Sequence, residues 1–234
     1  MTWAYLRRGL LAGLLAGLLA GLFAYVFAEP ILDRAVALEN AGEHHHEEVF
    51  DRGEQKVGLI LATTLYGSAV GALFGLLSAY FRRRSSLRSE WRRSLGLSGA
   101  VFLGAVLLPF LKYPPNPPGV GADPATLAER TLAYLAMIAL SLLAVFATWR
   151  FARRLDGVSV VTRELAALGV LVVLWAFLYL AMPDFGGVGG AEPVPEGLVL
   201  EFRLSSLGTQ AVLWAGIGCI FGLLGERANR REPL

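Results

Sequence analysis

Residues 9–28 read GLLAGLLAGLLAGLFAYVFA, twenty residues from Gly9 to Ala28 without a charged side chain. A helix crossing ~30 Å of hydrocarbon needs about 20 apolar residues, and this stretch supplies them. The apolar core of a cleaved signal peptide is shorter, about 7–15 residues, so the expectation is a retained membrane helix. Gly9, Gly13, Gly17 and Gly21 recur every four residues. That spacing lines one helix face with hydrogen atoms and lets a second backbone approach closely.

Five further apolar runs follow: Val57 to Phe81, Leu95 to Leu111, Thr131 to Trp149, Leu165 to Met182 and Leu204 to Gly225. In Val57 to Phe81, Gly67, Gly71 and Gly75 repeat the four-residue spacing, so the first two helices are expected to pack glycine face to glycine face. Pro30, Pro109 and Pro183 are expected to end the outgoing helices, because proline cannot continue the hydrogen-bond ladder. The 234 residues are 55% hydrophobic and 17% charged, against about 25% charged in soluble domains. No gap between runs is long enough for a soluble domain, so residues 1–234 read as one integral membrane domain. The single cysteine, Cys219, excludes a disulfide framework.

Charge orients the spans. Fifteen of the 21 Lys and Arg fall in the segments around 7–8, 82–93, 150–163 and 227–231. The other six, Arg34, Arg52, Lys56, Lys112, Arg130 and Arg203, fall in the alternate loops, which also carry 14 of the 19 acids. By the positive-inside rule, the fold is an all-α polytopic membrane protein of six transmembrane helices arranged as three hairpins. Both termini are then cytoplasmic and the protein lies in the plasma (inner) membrane. Residues 29–56 become an outer loop.

That loop holds all three histidines in Glu43-His44-His45-His46-Glu47-Glu48. Imidazole ligates Zn, Cu, Fe and Ni, and carboxylates add oxygen donors. On a rigid helix adjacent residues point about 100° apart, so only a flexible loop could bring two of these histidines to one ion. The expectation is a surface capture site for a divalent metal rather than a tightly bound cofactor. The competing reading is a solvated polar loop.

Inside the spans no Asp, Glu, Lys, Arg or His sits at mid-membrane. Hydroxyls there usually bond their own backbone or a neighbouring helix. Gln210 is the most costly to bury, and with Tyr66, Thr63 and Ser206 it forms the set of pathway candidates. Fully dehydrating a dication costs more than hydroxyl dipoles return. Either the ion stays hydrated, or a homo-oligomer or a second protein supplies ligands. There is no P-loop, nucleophile elbow or His-Glu-x-x-His motif, so no enzyme is expected. The bilayer, not a nucleic acid, is the expected partner.

Several segments resemble the CbtA family of predicted cobalt transporter subunits. They are Glu29-Pro30 with Asp33-Arg34-Ala35, Arg52-Gly53, Leu65-Tyr66-Gly67, Pro109 through Pro118, Arg130-Thr131, and Glu201-Phe202-Arg203-Leu204 through Gln210 and Trp214. The resemblance implies cobalt uptake for cobalamin synthesis and a small single-span, histidine-rich CbtB-like partner. The family is described with five spans; the charge pattern here gives six. Within the residues themselves nothing separates Co²⁺ from Ni²⁺ or Zn²⁺. A structural or assembly protein whose outer loops bind a partner, without transport of its own, is the other reading.

Overall fold

The computed structural model describes residues 2–41, 51–82, 84, 89–117, 126–155, 157–185 and 195–231. The helices are α1 (Thr2–Phe27), α2 (Glu29–Ala41), α3 (Arg52–Arg82), α4 (Glu90–Phe102), α5 (Leu108–Lys112), α6 (Leu127–Ala152), α7 (Val160–Ala181) and α8 (Glu196–Arg231). A π-helical turn, Leu103–Leu107, joins α4 to α5. Among the described residues there is no strand. Six helices are long and apolar enough to cross a membrane, counting Glu90–Lys112 as one. The protein is therefore a multi-pass, all-helical membrane protein.

The chain divides into two compact units. The first holds α1, α2, α3, α4 as far as Gly99, and α8. Its centre is α1, whose small residues serve two neighbours. The glycine face meets α3 in antiparallel register. A Cβ on Gly13 would stand 2.8 Å from the Gly71 Cα, and one on Gly17 would stand 2.5 Å from the Thr63 carbonyl oxygen. These glycines are needed because the opposing atoms are main chain, which no rotamer change can move aside. The alanine face, with Ala12, Ala16 and Ala20 buried, is open to α8; a Cβ on Gly216 would lie 2.9 Å from the Ala16 Cβ. Phe74 and Phe221, both wholly buried, meet edge to face with centroids 5.2 Å apart.

Two expectations are corrected here. Residues 29–56 are not wholly loop, since α2 occupies Glu29–Ala41. Pro30 lies in its first turn, where the missing N–H costs no bond and φ is already helical. Ala28 makes the joint: its carbonyl accepts from Ile31 N at 3.1 Å and from Leu32 N at 3.0 Å. Ile31 and Ala35 of α2 then pack with Leu198 and Phe202 of α8, and Arg34 pairs with Glu201 between the same helices. The second correction is Pro109, which does not break the third run. It enters the first turn of α5 directly after the π turn, and the helix continues to Lys112.

The second unit holds the π turn, α5, α6 and α7. Gly104, in the π turn, lies against α6, where a Cβ would stand 3.2 Å from the Leu142 Cα. At its loop end the Tyr113 hydroxyl donates to the Pro183 carbonyl at 2.7 Å, and Arg130 donates to the Phe185 carbonyl at 3.0 Å. Ser159 caps α7 by accepting from Thr162 N.

Candidate functional site

Glu43, His44, His45, His46, Glu47 and Glu48 lie outside the described residues. Their flanks are described, and these are tied down by charge. Asp51 and Glu54 form a reciprocal capping box at the start of α3: Glu54 N donates to Asp51 Oδ1 at 2.8 Å, and Asp51 N to Glu54 Oε2 at 3.1 Å. Arg52 reaches back to α2 and donates to Glu29 at 2.9 Å and to Asp33 at 3.0 Å and 2.5 Å. Lys56 donates to the other Asp33 oxygen at 2.9 Å. The hydrogen bonds from Lys56 and then Arg52 hold the Asp33 carboxyl below its ordinary range. A depressed carboxylate stays ionised at and above its unfolded value, so this clamp loosens only as pH falls through the acid range. Among the described residues no group of three or more His, Cys, Asp or Glu is arranged to hold a metal. Glu29 and Asp33 serve the protein's own cations, and Asp51 and Glu54 serve the start of α3.

The pathway candidates all lie in the first unit. Thr63 Oγ1 donates to the carbonyls of Leu59 at 2.8 Å and Ile60 at 3.0 Å. Tyr66 is 52% exposed on the outside of α3. Ser206 and Gln210 stand one turn apart on α8, both half-buried. Among the described residues no hydrogen bond joins these four to one another. Other hydroxyls behave as Thr63 does: Thr64 donates to Ile60 O at 2.7 Å and Ser68 to Thr64 O at 3.0 Å.

Two serines do something else. On α4, Ser94 donates across to the Gly218 carbonyl at 2.7 Å, and Ser98 donates to the Trp214 carbonyl. With Glu90 they form a buried stripe at four-residue spacing. Glu90 is only 3% exposed, and sequence reasoning passed it over. Its Oε1 accepts from the Tyr5 hydroxyl at 2.6 Å and from Arg93 at 2.6 Å, with Arg82 Nε at 3.8 Å. The guanidinium carbons of Arg8 and Arg82 stand 5.4 Å and 5.8 Å from the Tyr5 ring centre. Beside it, Glu226 of α8 caps α4, accepting from the Ser89 hydroxyl at 2.8 Å and from Trp91 N at 3.2 Å. The available signal was one acid, Glu90, inside a run of six arginines.

On α6 of the second unit, Ala133, Met137, Ser141, Ala144 and Thr148 form the buried face. The hydroxyls of Ser141 and Thr148 have no hydrogen-bond partner there.

No curated protein matches the chain, and no solved structure matches it. A family model described as a probable cobalt transporter subunit, CbtA, matches residues 2–226. Nearly the whole chain is covered, the six long apolar helices included, and the protein belongs to the CbtA family.

Proposed function

We propose that this protein is the membrane subunit of a divalent transition-metal uptake system, with cobalt as cargo. The family match over residues 2–226 carries this reading. In it the protein sits in the inner membrane with both termini cytoplasmic, and the chain from Glu43 to Glu48 faces outward to gather the ion. A small histidine-rich partner with one span would supply ligands that the interior of a single copy lacks.

The orientation has its own test. Cytoplasmic reporters fused after Arg84, Arg154 and the C-terminus are expected to be active, and periplasmic reporters after Glu47, Gly121 and Gly189. A C-terminus found outside would overturn the six-span orientation.

Capture is tested by replacing His44, His45 and His46 with Ala. The acids would attract any dication; imidazole adds preference for transition metals over Mg²⁺ and Ca²⁺. The variant is expected to bind Co²⁺ more weakly by calorimetry, and its apparent KM for uptake should rise more than its maximal rate falls. Lowering pH through ~6.5 should imitate the substitution, since protonated imidazole is no ligand. The Arg52–Asp33–Lys56 clamp keeps its charges across that window, so the pH effect would report imidazole. Equal Co²⁺ affinity of the two proteins at pH ~7.5 would leave residues 43–48 as a solvated linker. Unchanged cobalt uptake in cells lacking the gene would favour the structural or assembly reading instead.

A further inference from the structure

The sequence counts side-chain ligands inside the spans and finds a shortage; the second unit adds main-chain ones. In the π turn, Leu108 N–H donates to the Leu103 carbonyl, five residues back. In α register that N–H would have served Gly104. The next residue, Pro109, has no N–H to offer. The Gly104 carbonyl therefore loses its α-helical and its π-helical donor, and Ala105 loses its α-helical donor. Uncommitted carbonyls at membrane depth are costly unless they face protein polar groups, water or an ion. π turns of this kind often mark functional positions.

Depth and surroundings come from α6. A Cβ on Gly104 would lie 3.4 Å from Leu142 N, so the π turn rests on the Ser141–Leu142 peptide. Ser141 is the fifteenth residue of the 26 in α6, close to mid-span. Its side chain is wholly buried and its hydroxyl has no partner, not even the carbonyl one turn back. Met137, one turn before it on the same buried face, is also 0% exposed. A freed Gly104 carbonyl, an uncommitted hydroxyl and a thioether thus lie in one part of the second unit, close to mid-span.

We propose that the π turn and the buried face of α6 form a transit site for a divalent transition-metal cation. The Gly104 carbonyl and the Ser141 hydroxyl give oxygen donors, and the Met137 thioether favours softer metals over Mg²⁺ and Ca²⁺. All three donors are neutral, so the ion keeps part of its water shell and is held weakly. Passage requires that: a site must bind well enough to be entered and loosely enough to be left. Broken helices with free carbonyls at mid-membrane serve ions in this way in other transporters. The inference rests on the uptake reading above and places that uptake in the second unit.

The test uses full-length protein in nanodiscs, with Ser141→Cys in a Cys219→Ala background, titrated with Co²⁺ alone. A thiolate-to-cobalt charge-transfer band in the near ultraviolet is expected. Adding Pro109→Ala, which restores an N–H and the α register, should raise the Co²⁺ needed for half intensity about tenfold. In cells, Ser141→Ala should lower the maximal uptake rate about tenfold with little change in KM, the opposite split from the histidine variant. Should Ser141→Cys fail to fold, Met137→Cys in the same background gives the same band. Folded protein without a band, together with wild-type maximal uptake in Ser141→Ala, overturns the site while leaving the uptake reading intact. A band in a protein whose wild type moves no cobalt keeps the site and removes the uptake reading.

Discussion

Gly71→Leu is expected to destabilise the protein severely, with Gly13→Leu close behind. A Cβ on Gly71 would stand 2.6 Å from the Gly13 Cα and 2.8 Å from the Gly13 N, and one on Gly13 would stand 2.8 Å from the Gly71 Cα. Overpacking a core usually costs ~1–3 kcal/mol, because side chains can shift to absorb it. Here the obstacle is backbone, and relief requires α1 and α3 to separate along their shared face. The cost should therefore exceed ~3 kcal/mol, a fall of roughly 5–10 °C in the melting midpoint measured in detergent. Gly96→Leu and Gly169→Leu are the controls, since a Cβ at either position meets nothing within 4 Å. They should melt near wild type. A Gly71→Leu protein melting with these controls would mean that the faces of α1 and α3 meet only lipid.

The sequence made that packing legible because close approach of two backbones has few solutions. Glycine at every fourth position is nearly the only composition that permits it, so periodicity alone was enough. Proline was less informative, because its effect depends on register. Pro30 opens a helix, and Pro109 continues one with the help of a π turn. Nothing in Leu-Gly-Ala-Val-Leu-Leu-Pro distinguishes a break from a π turn. The charge pattern sorted the loops into two sets but said nothing about which charges pair. Arg52 meets Glu29 and Asp33 across 23 and 19 residues, and Tyr5 meets Glu90 across 85. Such partners are set by helix packing, which local pattern does not encode. The pathway candidates were chosen for polarity alone. At Thr63 that polarity is spent on the helix backbone, whereas the Ser141 hydroxyl is unspent.

Glu90→Ala is the second large effect expected, and it separates a clasp from a bystander. Glu90 is the shared acceptor of the Tyr5 hydroxyl and Arg93, with Arg82 beyond, and it is 3% exposed. Removing one partner from a buried ionic group leaves charge without compensation, at a typical cost of ~3–5 kcal/mol. The position also has a steric role: a Cβ on Gly225 would stand 3.0 Å from the Glu90 Cβ, so α4 and α8 touch at this residue. Glu90→Gln keeps the shape and can still accept from Tyr5, so it should cost less than Glu90→Ala. Tyr5→Phe should cost least, about 1–3 kcal/mol, since it leaves an acceptor without its donor but keeps the Arg93 pair. In Glu90→Ala/Arg93→Ala the losses should not add, because the second change removes charge that the first had stranded. Melting of the four variants in detergent gives the order directly. If Glu90→Ala melts with wild type, the carboxylate does not hold α1, α3 and α4 together, and its burial among arginines would need another cause.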